Sequence, residues 1–415
     1  MAKLKAIYVC SNCGIQYGKW SGSCADCGEW NTLVEDVIDV SVQKKQESQI
    51  KRNAQITVRK LSDLDGARMI RVETGIKEFD RVLGGGMVPG SLVLLAGEPG
   101  IGKSTLMLQV LAELSQLKSI LYVAGEESVE QIGLRSDRLS HKLDNVDFLM
   151  ETDLDTILGY LAENKPDLIV VDSVSVIYSE SLGSFAGSIP QVRAVTEGFM
   201  QYAKQSQTPV LLVGHVTKDG SIAGPKVMEH LVDVVLHLEG DRYEEIRLLR
   251  ALKNRFGSTQ EVGVFQMDSE GLQAVESPGQ KLLKERTGNV IGSALTVTID
   301  GRRPFVLEVQ ALVSKSYFGY PKRSATGFDL NRLHMLIAVL EKYHGLKLGE
   351  QDVFVNVVGG IKIKEPGCDL AIMEAIKSSF KKEPLDGQQV FIGEVGLDGK
   401  VRDPYFKEIR LKEVG

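Results

Sequence analysis

The sequence predicts an α/β protein: a parallel sheet covered on both faces, a small cysteine-bound knob before it, and a mixed α+β region after it. Three observations carry this. Short apolar runs alternate with helical stretches from about residue 90 to 215, and continuous apolar strands separated by helices belong to parallel sheets buried on both sides. A glycine-rich loop, GEPGIGKS, joins the first of those runs to the first of those helices. Two Cys-x2-Cys pairs fall within the first 30 residues.

Bulk properties narrow the classes. A chain of 415 residues holds two to three domains. It has no apolar run of about 18 residues, so no membrane span is expected. The start, MAKLKAIYVCSNCG, lacks an apolar export segment, which points to the cytoplasm. The net charge of −6 means that any nucleic-acid surface must be a local basic patch.

The knob spans residues 1–34. Cys10, Cys13, Cys24 and Cys27 form two knuckles ten residues apart. That spacing suits a tetrahedral zinc site of four thiolates, which is structural because every position is filled. A redox pair would need a thioredoxin-like βαβ context, absent here. The metal would supply the folding energy of so short a segment. Trp20 and Trp30 are expected to pack its small core. Residues 35–60 read as a linker, with Lys44, Lys45, Lys51, Arg52, Arg59 and Lys60 against one acid after Asp39, Glu47.

The central region, 61–276, holds the nucleotide motif. Gly97, Glu98, Pro99, Gly100, Ile101, Gly102, Lys103 and Ser104 match G-x4-G-K-[ST], followed by Thr105. The motif follows the strand-like SLVLLA and opens a helix, the context that marks a P-loop. Backbone N–H groups and the helix N-terminus cradle phosphate there. Lys103 would reach the β- and γ-phosphates of ATP, and Ser104 would ligate Mg²⁺. Asp172 ends the strand LIVVD, where a second magnesium-site carboxylate is needed, or else it caps a helix, a role Ser173 could also fill. Glu126 and Glu127 follow the strand ILYVA. They are placed to polarise an attacking water, or they form a solvated first helical turn. From residue 232 strands follow one another directly, so antiparallel members are expected. One of them runs into KNRFG, where Lys253 and Arg255 alternate along an extended segment and can face one way.

A third region, 281–415, mixes strands such as FVLEVQALV with helices such as LNRLHMLIAVLEKYH. Gly415 falls just as a helix begins, so the region reads as truncated there. In residues 314–328, Lys315, Lys322 and Arg323 interleave with Tyr317, Phe318 and Tyr320. That mixture suits stacking on bases and contact with phosphates, or a packed loop.

Several stretches together carry a family resemblance: TGIKEFDRVLGGGMVPGSLVLLAGEPGIGKST, YVAGEES, VVDS, GHVTKDG and KNRFG, behind a four-cysteine finger. They resemble the bacterial RadA (Sms) DNA-repair family, RecA-like ATPases distinct from the archaeal recombinase of that name. The resemblance covers nearly the whole chain. It implies a RecA-like core in a homo-oligomeric ring, expected to be a hexamer, acting on single-stranded and branched DNA by branch migration or helicase movement. It also implies contacts with a recombinase and other repair proteins through the finger. By the same resemblance Glu126 is the catalytic acid, with Glu127 its neighbour. His215 takes a γ-phosphate sensor position, whose alternative is a satisfied strand-end residue. Lys253 and Arg255 complete a neighbouring subunit's site as cationic fingers; the alternatives are a solvated edge pair or a DNA contact. The loops at 180–190 and 217–226 line the ring channel, with Arg193, Lys218 and Lys226 as the nearest cations.

The third region resembles the Lon protease domain. A Pro-Ser-Ala-Gly turn carries the nucleophile in that family, whereas this chain has EPGCDLAI, with Gly367 in the serine's place and Cys368 one position late. Lys407 falls near the base position. No peptidase activity is expected, because a lysine cannot activate an absent hydroxyl. The weighed alternatives are an ATP-driven signalling ring of the circadian-clock ATPase kind, a Lon-type peptidase, and a DNA-binding scaffold with residual nucleotide binding.

Overall fold

The computed structural model describes residues 4–11, 15–39, 70–116, 118–139, 143, 145–214, 226–240, 245–276, 283, 288–317, 320–359 and 361–414. The chain divides into two compact units, Met1–Ala274 and Val275–Gly415.

The first unit opens with β1 (Leu4–Cys10), β2 (Gln16–Tyr17) and β3 (Leu33–Asp39), an antiparallel sheet in the order β2-β1-β3. Its interior holds Cys10, Cys24 and Leu33, with Tyr8, Tyr17 and Cys27 packed against them. Those groups fill the space. Trp20 and Trp30, expected in this core, are 60% and 74% exposed instead.

The remaining elements of this unit follow in chain order: α1 (Lys77–Leu83), β4 (Leu92–Gly97), α2 (Lys103–Ser115), β5 (Ile120–Ala124), α3 (Val129–Arg138), β6 (Val146–Leu149), α4 (Leu154–Glu163), β7 (Leu168–Asp172), α5 (Ile189–Ser206), β8 (Val210–Val213), α6 (Lys226–Leu231), β9 (Val234–Glu239), β10 (Ile246–Asn254), β11 (Val262–Asp268) and β12 (Gly271–Ala274). One nine-stranded sheet runs β12-β11-β10-β9-β4-β8-β7-β5-β6. The six strands from β9 to β6 are parallel, and β10, β11 and β12 add an antiparallel flank. Strands β4, β5, β7 and β8 are buried along their length, as two-sided cover requires, whereas the edge strand β6 is buried only at Val146. Phe79, Leu106 and Leu111 pack one face, and Ile157, Val195 and Phe199 pack the other.

Local chemistry sets the helix starts. Ser128 and Gln131 form a capping box on α3. Asp153 accepts from Thr156 N at 2.8 Å to start α4. Pro190 sits in the first turn of α5. Because β4, β5, β7 and β8 are parallel and in register, their following loops emerge on the same edge of the sheet.

The second unit contains β13 (Ser293–Asp300), β14 (Arg303–Lys315), β15 (Arg323–Thr326), α7 (Leu330–His344), β16 (Gln351–Val357), a 3₁₀ turn at Pro366–Cys368, α8 (Asp369–Lys381), β17 (Glu394–Val395), β18 (Val401–Arg402) and α9 (Lys407–Val414). Its sheet runs β13-β14-β16-β15, with β15 parallel to β16. Helices α8 and α9 lie against β13 and β14.

Candidate functional site

The carboxyl edge of the nine-stranded sheet gathers the P-loop and the strand-end acids. Gly100 and Gly102 take φ of 78° and 116°, which an L side chain rarely adopts, and a Cβ on Gly102 would lie 2.7 Å from Met267 Cε. Lys103 opens α2, and its ammonium donates to Gly97 O at 2.9 Å and Glu98 O at 3.0 Å. Burial lowers the Lys103 pKa, while Asp172 and Glu126 pull it back up.

Asp172 ends β7 level with Ala124 of β5. It accepts a hydrogen bond from Tyr122 OH at 2.7 Å and another from the Ser104 hydroxyl. Burial raises its pKa, these two hydrogen bonds lower it, and the charges of Glu126 and Glu127 raise it further. P-loop lysine and serine, strand-end aspartate and Glu126 thus share one electrostatic site. The hard oxygen donors of Ser104 and Asp172 are the type a magnesium ion takes alongside nucleotide phosphates.

The two glutamates separate. Glu126 accepts from the Ser173 hydroxyl, which is itself hydrogen-bonded to Ser175. Glu127 pairs with Arg135 on α3. Ser173, Tyr122 and Arg135 are site residues that spacing alone did not single out. Only the tyrosine hydroxyl inside an otherwise apolar strand was a usable signal.

Lys253 and Arg255 lie elsewhere. Val234 of β9 is level with Val93, and Leu238 is level with Gly97 at the P-loop. Lys253 pairs with Val235 and Asn254 with Val234, so KNRFG sits toward the opposite, amino edge. At about 3.3 Å per residue this places it on the order of 10 Å or more from its own P-loop. The Lys253 ammonium donates to Glu229 O at 2.6 Å, Val232 O at 2.7 Å and His230 O at 3.2 Å, capping α6. Arg255 pairs with Asp233 at 3.0 Å. Burial lowers the Lys253 pKa, and the Arg255 charge adds to that. Asn254 donates to Val82 O and Leu83 O at the end of α1. Both cations therefore turn to one stretch, residues 229–233.

In the finger, the sulfurs of Cys10, Cys24 and Cys27 lie within 4.8 Å of one another, Cys10 and Cys27 being 3.6 Å apart. A tetrahedral zinc thiolate needs roughly 3.8 Å between sulfurs, so this cluster fits the metal. Cys13 lies outside the described residues, as do His215, Lys218 and the side chain of Lys226.

The other predicted DNA residues differ in their freedom. Arg193 pairs with Glu197 at 2.9 Å on α5. Lys315 and Lys322 are exposed, and Lys322 Nζ stands 5.8 Å from the centroid of the Phe354 ring. Tyr317 and Tyr320 are 88% and 92% exposed, so these two are not core. Arg323 donates to Gln351 O at 2.6 Å and Leu348 O at 3.0 Å, which commits its guanidinium to the fold.

The protease-like turn is filled. A Cβ on Gly367 would meet Glu365 Oε2 at 2.7 Å and Arg410 Cζ and Nη1 at 2.8 Å. Arg410 is 1% exposed. It pairs with Glu365 at 2.9 Å and donates to Tyr405 O at 3.0 Å and to Val297 O. Burial pushes Glu365 up, but Arg410, the Gly367 N–H and Thr298 together hold its pKa below the ordinary value. Lys407, expected near the base position, is on the outer side of α9 and pairs with Asp403. One helical turn further, Arg410 is the residue of α9 that faces inward. Cys368 is buried, and burial with the Glu365 charge pushes its thiol up to about 12. At neutral pH that sulfur is protonated and not nucleophilic.

The chain is similar to known proteins along its whole length. Residues 59–221 match a family model described as an AAA domain, and residues 8–35 match one described as a rubredoxin metal binding domain. The chain is 47% identical over 417 residues to the DNA repair protein RadA of Bacillus subtilis, covering 100% of this chain and 91% of that protein. It is 46% identical over 404 residues to that of Halalkalibacterium halodurans, covering 97% and 88%. A solved structure of the KaiC-like protein PH0186 from Pyrococcus horikoshii overlaps 50% of this chain and 100% of its own, at 19% identity and a TM-score of 0.42. With that identity to the curated proteins sustained from the finger through the second unit, the chain belongs to the RadA family of DNA repair proteins.

Proposed function

We propose that this protein is a ring-forming, ATP-driven motor in recombinational repair, which moves on single-stranded or branched DNA by branch migration or helicase action. One observation carries the reading: Lys103, Ser104, Asp172 and Glu126 converge at the carboxyl edge of the motor sheet. In this site Lys103 and the P-loop amides bind the β- and γ-phosphates of ATP. Ser104 and Asp172 hold the magnesium ion, which would neutralise charge developing on the phosphates. Glu126 orients and deprotonates the attacking water, with Ser173 fixing its rotamer. Glu127 supports α3 through Arg135.

Lys253 and Arg255 serve a neighbouring subunit. Their place at the opposite sheet edge supports a role toward the next chain of a ring, for which a hexamer is the expected size; there Lys253 would exchange its carbonyl partners, and Arg255 its Asp233 pairing, for that chain's phosphate. The finger carries zinc and contacts a recombinase or another repair protein, and the exposed Trp20 and Trp30 favour such an adaptor role. DNA contacts come from the 180–190 and 217–226 loops and from Lys315, Lys322, Tyr317 and Tyr320. Arg323 drops out of this set as an internally bonded residue. Among the described residues no helix is long and apolar enough to cross a membrane, in keeping with a cytoplasmic site of action. A peptidase reading is disfavoured by the Arg410 side chain in the nucleophile's space.

ATP turnover with and without single-stranded DNA, beside a size measurement with nucleotide, tests the proposal. Stimulation by DNA and a nucleotide-dependent ring are expected. DNA-independent turnover by a species of constant size would favour a signalling ATPase, and nucleotide binding without turnover would favour a scaffold.

A further inference from the structure

Tyr122 is the polar member of an apolar strand. It is 2% exposed and lies in the main core. Its ring packs against Phe148 with centroids 5.6 Å apart and planes tilted by 48°. The hydroxyl, beyond that ring contact, donates to Asp172 Oδ2 at 2.7 Å. Asp172 is 9% exposed and also bonds the Ser104 hydroxyl. Lys103 belongs to the same electrostatic cluster, yet its ammonium is held by the carbonyls of Gly97 and Glu98.

Two opposite charges in a site of low dielectric attract strongly and would form a direct ion pair if the carboxylate were free to turn. Such a pair would take the lysine from phosphate and the carboxylate from metal. A tyrosine donor occupies one carboxylate oxygen without carrying charge, and so leaves the net charge of the site unchanged.

We propose that Tyr122 is a positioning residue for the ATPase reaction: its hydroxyl fixes the Asp172 carboxylate toward Ser104 and keeps it out of a direct ion pair with Lys103. The inference rests on the reading of Asp172 as a magnesium-site carboxylate. Partners that orient metal-site carboxylates commonly govern metal affinity by tenfold or more.

The test is Mn²⁺ affinity, measured by electron paramagnetic resonance on the full chain saturated with a non-hydrolysable ATP analogue. Tyr122→Phe, which deletes only the hydroxyl, should weaken Mn²⁺ binding by about tenfold and raise the Mg²⁺ concentration needed for half-maximal turnover. Asp172→Asn should weaken it as well, and adding Tyr122→Phe to Asp172→Asn should change little more. Phe148→Leu, which loosens the ring contact but keeps the hydroxyl, should leave Mn²⁺ affinity near wild type, and so separates packing from hydrogen bonding if Tyr122→Phe also lowers the melting temperature. If Asp172→Asn weakens Mn²⁺ binding but Tyr122→Phe stays within about twofold of wild type, the positioning role is wrong and the metal reading stands. If Phe148→Leu loses as much affinity as Tyr122→Phe, the effect is packing and the proposal fails. If Asp172→Asn binds Mn²⁺ normally, the metal reading fails and this inference with it.

Discussion

Glu126 and Glu127 are adjacent carboxylates whose hydrogen-bond partners give them different work. Ser173 holds Glu126 beside Asp172, and Arg135 holds Glu127 against α3. Glu126→Gln should keep ATP bound and slow hydrolysis by roughly 10²- to 10⁴-fold, the usual worth of a general base. Glu127→Gln should cost far less turnover and show instead as a looser α3. Single-turnover hydrolysis beside nucleotide-binding titrations separates the two, and a Glu126 variant with normal turnover would move the base elsewhere.

At the same scale, Gly367 cannot be turned into a nucleophile by one substitution. In Gly367→Ser the new Cβ would press on Glu365 and on the buried Arg410, neither of which can swing into solvent without breaking their ion pair. The variant should lose about 1–3 kcal/mol from overpacking and gain no peptidase activity, as read by calorimetry and by casein cleavage. Cys368 adds a pH dependence. Its folded pKa is about 12 against 9.0 for an ordinary thiol. Between those values the folded state holds a proton that the unfolded state has released, so stability present below pH 9 is lost as pH rises. The C-terminal calorimetric transition should therefore fall more steeply above pH 9 in wild type than in Cys368→Ala, by up to about 1.4 kcal/mol per pH unit. Equal slopes would show that this thiol does not carry the effect.

Among the elements, α6 depends on a distant side chain. It is six residues long, too short to hold itself, and its final carbonyls are satisfied by the Lys253 ammonium. Lys253→Met should release those carbonyls at a cost of about 1–2 kcal/mol, seen as faster amide exchange at residues 228–233. The same ammonium cannot hold α6 and a neighbour's phosphate at once, since its three donors are already engaged. Unchanged exchange in the variant would mean that β9 and Asp233 hold the junction unaided. In the finger the element scale works in reverse: cysteines, Leu33 and tyrosines take the interior, and the tryptophans expected in a core lie on the surface.

For the whole molecule the decisive quantity is where the sheet puts KNRFG. Register places it at the edge opposite the P-loop of the same chain, so in the proposed ring its cations would complete another chain's site. Lys103→Ala chains, which lack the phosphate cation, and Arg255→Ala chains, which lack the finger, should each be inactive alone. Mixed rings should recover part of the wild-type turnover, because some interfaces then join two intact halves. Mass photometry verifies that mixing occurred. Mixed rings without recovery would send Lys253 and Arg255 to DNA or to a purely structural task.

Sequence alone determined the α/β class, the P-loop, the cysteine knuckles and the acids at the strand ends. Each is written in a local code: turn chemistry, ligand spacing, or a run of apolar residues ended by a carboxylate. Only the tertiary structure decided that Glu126 meets Ser173 while Glu127 meets Arg135, that Arg410 and not Lys407 faces Gly367, that Arg323 is bonded internally, and that Lys253 caps a helix. Those outcomes depend on partners far apart in the chain: Ser173 is 47 residues from Glu126, and Arg410 is 45 from Glu365. Sheet order and helix packing set such distances, and neither leaves a period or a spacing in the residues themselves.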